Sequence, residues 1–406
     1  MIRYTIPTNW IRYDPVAIAQ VLVDAKAIII SLQNIPYQKQ WVERLQEIEL
    51  KREVAGTSRI EGADFTEQEL DLALHGTAEQ LATRSQRQAH AAVKTYRWIA
   101  TLQDDRPTDS ELVREIHRGI VIGADDDHCP PGELRKTDQN VNFGAPRHRG
   151  AEGGEEVRKA FDEFIRALRQ EFRGHDPVIQ ALAAHYHFAA MHPFLDGNGR
   201  TARALEALML QRAGLRNTAF IAMSNYYYDE KPAYLTALAA ARAAQHDLTP
   251  FLLFALRGVA IQGGRMLAEV RREMQKEVFR NLMYRLFTRL PSPRKRVIGE
   301  RQVEMLKVLL EETKVTWGEL RARTTPEYLN LKNRGTAAAR DVINLESLGA
   351  VSISRDANGD VQRNESGEIE IEIRLDWPTE IDESGFLERY RNLPQANTHR
   401  FLRDLE

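Results

Sequence analysis

The twelve residues from His192 to Arg203 (His-Pro-Phe-Leu-Asp-Gly-Asn-Gly-Arg-Thr-Ala-Arg) bring together the side chains that phosphoryl-type chemistry uses. His192 carries an imidazole, whose ordinary pKa of about 6.5 suits a general base near neutral pH. Asp196 offers a hard oxygen ligand for Mg²⁺, an ion that typically lies between one or two carboxylates and substrate phosphates. A base and a metal ligand are therefore predicted on one short segment.

The glycines of this run lie where a turn leads into a helix. Gly197 and Gly199 flank Asn198, and glycine reaches φ > 0 without strain and has no Cβ to hold a ligand away. The backbone N–H groups at the start of the next helix, predicted from about Arg200, would form an anion site. Arg200 and Arg203 are three apart, so both are predicted to reach the same anion. Each feature is common by itself, but their joint occurrence at this spacing predicts group transfer from a nucleoside triphosphate.

The run matches, without departure, the signature His-Pro-Phe-x-Asp-Gly-Asn-Gly-Arg-x-x-Arg of the Fic family. The resemblance covers about residues 40 to 265. It implies a mainly α fold, a Fic-type helical bundle with a small β-hairpin flap. It also implies transfer of AMP from ATP to a Ser, Thr or Tyr hydroxyl of a target protein, with release of pyrophosphate. A kinase-like branch of the superfamily, similar to the phage Doc toxin, has alanine and lysine in place of the glycines, so this sequence resembles the AMP-transferring branch.

The resemblance implies a role for each residue of the run. His192 resembles the base that deprotonates the acceptor hydroxyl, and Asp196 resembles the ligand that holds Mg²⁺ on the nucleotide phosphates. The expected anion hole for the α- and β-phosphates consists of Gly197, Asn198 and Gly199, with Arg200 assisting. Arg203 is expected to hold the γ-phosphate.

A second resemblance lies upstream, in Thr57-Ser-Arg-Ile-Glu61-Gly62, which is similar to the family's inhibitory signature Ser/Thr-x-x-x-Glu-Gly/Asn. Thr57 and Glu61 are four apart and share one face of a helix predicted over about residues 45–62. The resemblance implies that Glu61 pairs with Arg203 and excludes the γ-phosphate, since a carboxylate and a phosphate compete for one guanidinium. An ordinary helix C-cap, Glu then Gly, is the alternative. Self-modification, and a homodimer that buries this helix, are further expectations.

Two other regions resemble the family more loosely. Gly132-Glu-Leu-Arg135 and the stretch from Asp138 to Gly144 resemble the flap, a hairpin that docks the target by backbone pairing. A plain surface loop is the alternative. Tyr226-Tyr-Tyr228 and Tyr234 lie where the family often lines the adenine pocket, and helix packing is equally expected for each of them.

Three histidines on or beside one apolar segment raise the question of a shared metal ion. His185 and His187 are two apart and point to different faces of the predicted helix. His185 and His192 lie about 10 Å apart along it. We therefore expect His185 and His187 to be core residues.

Composition excludes several classes of protein. The chain has 406 residues, a formal net charge of −2 and one cysteine, Cys129, which excludes an intrachain disulfide framework and a zinc site made of several cysteines. The net charge gives no global sign of a nucleic-acid or membrane partner. No signal peptide is evident, and the longest apolar patch, around Ile28 to Leu32, is far shorter than the roughly 20 residues of a membrane span. A cytoplasmic protein without membrane association is expected.

The sequence pattern predicts five regions along the chain. They are an N-terminal helical region with the inhibitory helix (1–105), the Fic core (106–275), a linker (276–300), a winged-helix-like domain (301–378) and a peripheral tail (379–406). The linker is predicted from the proline and basic residues after Leu290. The winged helix is predicted from three helical segments followed by two strand-like runs, with turns at Asn358-Gly359 and Ser366-Gly367.

The sequence of the winged-helix-like domain is compatible with two kinds of partner, DNA and protein. Such domains commonly bind DNA, and Lys332, Arg334 and Arg340 flank the predicted third helix. The outer face of the last strand would carry glutamates at positions 368, 370 and 372, which repel phosphates. Protein–protein or regulatory packing is therefore favoured over DNA binding.

Three functions compete at this point. The leading interpretation is a protein adenylyltransferase that Glu61 holds inactive. The second is hydrolytic removal of AMP, in which Glu61 would align a water molecule. The third is a DNA-binding regulator with a vestigial Fic domain, against which the intact run argues, since a retired site has no reason to keep its base, its metal ligand and both arginines.

Overall fold

The computed structural model of the chain describes residues 2–35, 39–144, 146–215, 221–356 and 360–393. Two units emerge from the pattern of internal contacts, Met1–Ala268 and Glu269–Glu406. Residues 1–105 and the predicted Fic core up to Ala268 therefore belong to one unit, which the sequence pattern had divided into two regions.

The first unit is built of helices. In chain order they are α1 (Pro15–Asn34), α2 (Lys39–Ile60), α3 (Glu67–His75), α4 (Arg84–Thr101), α5 (Ser110–Val121), α6 (Glu155–Arg169), α7 (Pro177–Met191), α8 (Asn198–Leu210), α9 (Met223–Asp229), α10 (Lys231–Ala243) and α11 (Thr249–Thr288). The division between the two units falls within α11.

Local sequence explains where several of these helices begin. The Asp14 side chain accepts hydrogen bonds from the backbone N–H groups of Val16 and Ala17, and Pro15 is the first residue of α1. Asp109 caps α5 by accepting a hydrogen bond from the N–H of Leu112. A carboxylate at these positions stabilises a helix because it satisfies N–H groups that have no partner within the helix.

Helices α7 and α8 form the centre of the first unit. Every residue of α7 from Ala181 to Met191 is buried, as the apolar pattern predicted. Small side chains such as Ala184 and Ala204, both fully buried, allow α8 to pack closely against it. The turn between the two helices is thereby held by two rigid elements.

A small sheet lies beside this turn. Strands β2 (Asn142–Phe143) and β3 (His148–Arg149) are antiparallel, so the predicted flap is a hairpin and not a plain loop. Strand β1 (Ile2–Arg3) adds to β3 in parallel. The order β1-β3-β2 makes β2 an edge strand.

The second unit combines helices with another three-stranded sheet. Its elements are α12 (Pro293–Glu312), β4 (Lys314–Thr316), α13 (Trp317–Thr324), α14 (Arg334–Ser347), β5 (Val351–Ile353), β6 (Glu370–Ile373), α15 (Trp377–Glu380) and α16 (Glu383–Arg391). The sheet has the order β4-β6-β5 and is antiparallel. The predicted turn at Asn358-Gly359 lies outside the described residues, and the winged-helix assignment of this unit stays a prediction.

The predicted linker at residues 276–300 is wrong. Helix α11 continues to Thr288 and α12 starts at Pro293, so only a short connection separates them. Phe279 and Leu286 are fully buried in the core of the second unit. The proline and basic residues after Leu290 mark this connection and the start of α12, where proline is well tolerated in the first turn.

The predicted peripheral tail at residues 379–406 is wrong for the part that the structure describes. Helix α16 places Phe386 and Tyr390 in the core of the second unit. The Phe386 ring lies 6.3 Å from that of Trp377 and 5.2 Å from that of Phe287, measured between ring centroids. Helix α16 therefore belongs to the folded unit.

Two helices, α1 and α11, are long and apolar enough to cross a membrane by length and composition alone. The most apolar 18-residue windows have mean hydropathies of 1.8 and 1.3, and 22% and 56% of their residues are buried. The prediction that the longest apolar patch lies around Ile28 to Leu32 is wrong, because α1 is apolar over most of its length. One or two such helices are weak evidence of a membrane protein, since core helices pass the same test.

We expect Phe386→Ala to destabilise the second unit by about 3–5 kcal/mol, because it removes a fully buried aromatic side chain and leaves a cavity. Urea unfolding of the full chain, followed by tryptophan fluorescence, measures the change. Glu388→Ala, on the exposed face of the same helix, is the control and should change the stability by less than about 0.5 kcal/mol. Equal midpoints for the two variants would contradict the packing of α16.

Candidate active site

His192 ends α7 in a left-handed conformation, with φ 53° and ψ 62°. Its Nδ1 lies 2.7 Å from the carbonyl oxygen of Ala189. Because a carbonyl oxygen only accepts hydrogen bonds, Nδ1 carries the proton in the neutral ring and Nε2 keeps a free lone pair. His192 is therefore held in the tautomer that a general base acting through Nε2 requires.

An aromatic side chain of the flap covers His192. The ring of Phe143 stacks on the imidazole with 3.8 Å between centroids and 8° between planes, and the Arg242 guanidinium lies over the Phe143 ring at 5.3 Å. Loss of water around the imidazole, with smaller contributions from the charges of Arg135 and Arg242, lowers the pKa of His192 to about 4. The ring is consequently neutral at physiological pH.

Arg135 connects the flap to the loop that follows α7. This side chain is 1% exposed, and it donates to the carbonyl oxygens of His192 at 2.8 Å, Gln139 at 2.6 Å and Ala151. Burial lowers the pKa of Arg135 to about 10. Its donors fix three backbone segments around His192, a positioning task that the sequence resemblance to a flap did not assign to it.

Asp196 lies at the start of the glycine turn and is the carboxylate predicted to hold a cation. Its side chain is 39% exposed, and its Oδ2 lies 3.0 Å from the Nε2 of His128 and 3.4 Å from the guanidinium of Arg84. The ligand atoms of Asp125, His128 and Asp196 all lie within 4.8 Å of one another. Asp125 is buried against Arg84 and Arg200, whereas the partly exposed Asp196 carboxylate is a hard oxygen donor of the kind that Mg²⁺ prefers, so Asp196 fits this ion.

The glycine turn has the geometry of an anion site. Gly197 has φ 70° and precedes Asn198, where α8 begins, slightly earlier than predicted. The Asn198 side chain exchanges two hydrogen bonds with the backbone of Phe194, at 2.8 and 2.9 Å, so it can contribute to an anion site only through its backbone N–H. A Cβ at Gly199 would collide with the Oε1 of Glu61. A carboxylate thus already lies against the N-terminus of α8.

Arg200 and Arg203 have different protein partners, and the prediction that both reach the same anion stays a prediction. The Arg200 guanidinium is 3% exposed and lies 2.7 Å from Asp125 and 3.5 Å from Asp196. Burial alone would raise the pKa of Asp125, but the charge of Arg200 outweighs it and the pKa is lowered. Sequence reasoning missed Asp125, since nothing in the spacing of Asp125-Asp-Asp points to Arg200.

Arg203 pairs with the upstream helix. Its Nε donates to the Thr57 hydroxyl at 2.8 Å, and one Nη donates to Glu61 at 2.6 Å. Burial by itself would raise the pKa of Glu61, but the guanidinium outweighs it and the pKa is lowered. Gly62 follows with φ 90°, a conformation that favours glycine. The structure therefore brings Thr57, Glu61 and Arg203 together, as their resemblance to the inhibitory signature implies.

Comparison with known proteins places this site in a family. Residues 107–210 match the model of the Fic/DOC family. A Fic family protein from Desulfovibrio desulfuricans G20 has a similar structure, with a TM-score of 0.54 and 17% identity over 92% of this chain and 98% of that one. Fic-1 from C. elegans gives a TM-score of 0.53 and 20% identity over 64% of this chain and 75% of that one. The chain therefore contains a Fic domain, at residues 107–210.

Several curated relatives of this chain are named protein adenylyltransferases. The protein adenylyltransferase Fic of Culex quinquefasciatus is 33% identical over 168 residues, which is 40% of this chain and 30% of that protein. The protein adenylyltransferase fic-1 of Caenorhabditis elegans is 34% identical over 103 residues, 25% of this chain and 19% of that protein. The chain thus spans less than a third of the length of these relatives.

Helix α2 and the residue after it carry a polar stripe that was missed in the sequence. Glu49, Glu53, Thr57 and Glu61 recur every four residues, so they share one helix face. Glu53 is 1% exposed, and it accepts from the N–H of Ser224 at 2.8 Å, from the Ser224 hydroxyl, and from Tyr96 at 2.8 Å. Its four-residue spacing from the Thr57–Glu61 motif was the signal that could have revealed it.

The two N-terminal residues of this stripe, Glu49 and Glu53, hold α2 against the start of α9. Glu49 accepts from the N–H of Ala222 at 3.1 Å, and together with Glu53 it caps N–H groups at the N-terminus of α9, where negative charge is stabilised. A Cβ at Gly56 would lie 2.4 Å from the backbone of Ser224. Glycine at position 56 therefore permits the close approach that sets the register of Glu61 over Arg203.

His185, His187, Tyr227 and Tyr234 belong to the packed interior, whereas Tyr228 is 39% exposed. His185 is fully buried between the Glu206 carboxylate and the Tyr234 hydroxyl, the latter at 2.8 Å, and His187 Nε2 lies 2.5 Å from the carbonyl oxygen of Trp10. Tyr227 and Tyr234 stack at 4.7 Å. The expectation that His185 and His187 are core residues is met.

We expect Glu53→Ala to loosen α2, because it leaves the buried donors of Ser224 and Tyr96 unpaired at about 1–3 kcal/mol for each group. Hydrogen exchange monitored by mass spectrometry on the full chain should show faster exchange in peptides from α2. Glu47→Ala, on the solvent side of the same helix with 57% of its side chain exposed, is the matched control. Unchanged exchange in the Glu53 variant would show that this carboxylate does not hold α2.

Proposed function

We propose that the protein is an adenylyltransferase that transfers AMP from ATP to a Ser, Thr or Tyr hydroxyl of a target protein. The observation that carries this proposal is the position of the Glu61 carboxylate, which lies against Gly199 at the N-terminus of α8 and pairs with Arg203 at 2.6 Å. An anion therefore already occupies the place where a nucleotide phosphate would lie. The names of the curated relatives support the same reaction.

The residues around the turn divide the reaction between them. The acceptor hydroxyl oxygen attacks the α-phosphorus of ATP and forms a new P–O bond. The bond between the α-phosphorus and the oxygen that bridges it to the β-phosphate breaks, and pyrophosphate leaves. His192 takes the hydroxyl proton on Nε2, the nitrogen that the bond between Nδ1 and Ala189 leaves free. The N–H groups of the first turn of α8 and the Arg200 guanidinium stabilise the charge of the phosphates.

Asp196 is the residue that would hold Mg²⁺. A divalent cation held there would supply charge neutralisation for the phosphates. Asp125 does not compete for this position, because its carboxylate is buried between Arg200 and Arg84, at 2.7 and 2.6 Å. Asp125 instead keeps Arg200 directed toward the glycine turn.

The proposed enzyme is inactive at rest. Arg203 is the only residue of the predicted run that is expected to hold the γ-phosphate, and its guanidinium is taken by Thr57 and Glu61. ATP can place its γ-phosphate there only when the carboxylate of Glu61 moves away. Helix α2 therefore acts as an inhibitory element, anchored by Glu49 and Glu53.

The flap supplies a docking edge for the target. Strand β2 lies at the edge of its small sheet, so one side of Asn142–Phe143 can pair with an extended segment of another protein. Phe143 stacks on His192 at 3.8 Å. The acceptor hydroxyl must consequently approach Nε2 beside the Phe143 ring.

We expect Glu61→Gly to raise AMP transfer by about tenfold to about a hundredfold. The variant removes one charge-assisted hydrogen bond, worth about 1.5–3 kcal/mol, that competes with the γ-phosphate. Mass spectrometry of the protein and of cell lysate incubated with ATP and Mg²⁺ measures the 5′-AMP adducts. Adding His192→Ala to this variant should lower the rate by about a hundredfold or more.

Asp64→Gly provides the matched control, because Asp64 is an exposed carboxylate three residues away. It should leave the rate of AMP transfer unchanged. If the Glu61 variant behaves like this control, Glu61 is not inhibitory. If the Glu61 variant instead loses the ability to remove AMP from a modified target, the protein is a hydrolase in which Glu61 aligns water.

The rate of AMP transfer should not depend on His192 titration above roughly pH 5. Because burial lowers the pKa of His192 to about 4, the base stays neutral down to that pH and loses its ability to accept a proton below it. The measurement is kcat/KM of the Glu61→Gly variant against pH, with near-ultraviolet circular dichroism as a check of folding at each pH. An apparent pKa near 6.5, the ordinary value for histidine, would contradict the covering of His192 by Phe143.

A further inference from the structure

A cavity of about 790 Å³ forms a groove between α4 and α5. Its lining residues on α4 recur at intervals of three and four from Arg87 to Trp98, so they form one face over three helical turns, about 16 Å. The floor is made of small residues, among them Ala91, Thr95 and Gly119. A Cβ at Gly119 would lie 2.5 Å from the Thr95 hydroxyl oxygen, so the two helices approach most closely beneath the groove.

The walls of the groove offer apolar surface. The Trp98 ring forms part of one wall, and Leu81 closes one end. Ile122, just beyond α5, is 55% exposed at the opposite rim. Apolar surface of this kind is stabilised when a partner covers it.

The charged residues of the groove are mostly cations. Its lining contains Arg87, Lys94, Arg106 and Arg118 against one carboxylate, Glu115, although the whole chain has a net charge of −2. Arg106 is paired with Glu115 at 2.5 Å and Arg118 with Glu111 at 2.7 Å, so Arg87 and Lys94 carry the remaining positive charge of the groove. Arg87 donates to a neutral partner, the Ala82 carbonyl at 3.2 Å, and Lys94 is exposed. Both can therefore pair with carboxylates of a ligand.

The side chain of His90, which lines the groove, has one ring nitrogen without a hydrogen-bond partner among the described residues. The Nδ1 of His90 lies 2.8 Å from the carbonyl oxygen of Ala73 and so carries the proton. Its Nε2 is buried and has no hydrogen-bond partner within the described residues. Such an atom costs free energy until a donor reaches it.

We propose that this groove docks an acidic amphipathic helix of a partner protein. The floor and walls take the apolar face of the helix, the rim cations Arg87 and Lys94 pair with its carboxylates, and His90 Nε2 accepts from one of its polar side chains. A groove three turns long matches the helix-in-groove mode of recognition, in which anchors recur at three and four residues. Nucleic acid would need a longer track of cations than Arg87, Lys94 and Arg118 provide.

This docking site does not depend on the proposed activity, because none of its residues belongs to the glycine turn or to α2. It is nevertheless close to the active site through the two helices. Arg84, the first residue of α4, lies 3.4 Å from Asp196. Val121, the last residue of α5, packs against Gly197 so closely that a Cβ at position 197 would lie 2.9 Å from its side chain. A bound helix would rest on the two elements that support the turn from outside.

Fluorescence anisotropy on the full chain tests the proposal. The probe is a fluorescein-labelled helical peptide of about five turns, with Leu at positions i, i+3, i+4 and i+7 and Glu on its flanks. A peptide of the same sequence with Lys in place of Glu is the matched comparison, and a labelled single-stranded DNA of similar length is the third probe. The Glu peptide should bind at least about tenfold more tightly than the Lys peptide.

Variants of the groove distinguish its occupants. Arg87→Glu with Lys94→Glu should weaken binding of the Glu peptide at least about tenfold, and Ile122→Ser should weaken it by a smaller factor. All three substitutions are at the rim, so the fold should be retained. Arg158→Glu with Arg169→Glu makes the same charge change on exposed positions of α6 and should leave the affinity unchanged.

Three results would overturn the proposal. One is equal affinity for the Glu and Lys peptides. Another is an equal loss of binding in the groove variant and in the α6 control, which would reflect net charge alone. The last is tight binding of DNA that the Arg87 and Lys94 substitutions remove and Ile122→Ser leaves intact, which would identify the groove as a polyanion site.

Discussion

The pairing of Arg203 with Glu61 is the interaction around which the first unit is organised. A buried guanidinium is costly without a partner of opposite charge, and Arg203 is 3% exposed. Thr57 and Glu61 supply that partner from a segment about 140 residues earlier in the chain, as their separation of 142 and 146 positions shows. The same guanidinium is the group that a γ-phosphate would need, so the contact that stabilises the resting structure also opposes the proposed reaction.

Several other contacts hold α2 in the position that lets Glu61 pair with Arg203. Glu53 is enclosed by Ser224 and Tyr96, and burial raises its pKa to about 7 although the hydrogen bonds favour the charged form. Lys231 caps the last turn of α2 by donating to the carbonyl of Ile60 at 2.7 Å. A carboxylate in a fixed position competes with phosphate more effectively than a mobile one, since the cost of ordering it has already been met in folding. The anchors of α2 are therefore as much part of the proposed inhibition as Glu61.

The active site and the groove use opposite sides of α4 and α5. Inward-facing groups, such as Arg84 and His117, contact the backbone or carboxylate of Asp196, at 3.4 and 3.1 Å. Outward-facing groups, such as Arg87 and Trp98, line the groove. Helices transmit displacement along their length because their backbone hydrogen bonds keep them rigid. A partner bound on the outer side can thus influence the turn without contacting nucleotide. Substitutions in the groove and substitutions in the active site therefore test the two sides separately.

Sequence alone determined the chemistry of the site and the broad class of the fold. The run from His192 to Arg203 and the upstream Thr57–Glu61 segment are local patterns, in which residue types and spacing carry the information. The apolar character of α7, the cap at Asp109 and the flap hairpin were predictable for the same reason. The linker at residues 276–300 was misjudged because proline is as compatible with the start of a helix as with a loop.

Tertiary structure decided which partner each charged group has. Arg200 and Arg203 are neighbours in sequence, yet one faces Asp125 and the other faces Glu61, because different helices pack against each. The stacking of Phe143 on His192, the carbonyl contacts of Arg135 and the docking of Glu53 on α9 likewise join residues that are far apart in the chain. Periodicity within one element cannot report such contacts, since they depend on how the elements pack. The residues proposed to carry out the reaction could therefore be identified from the sequence, whereas the contacts that they make in the resting protein required the tertiary structure.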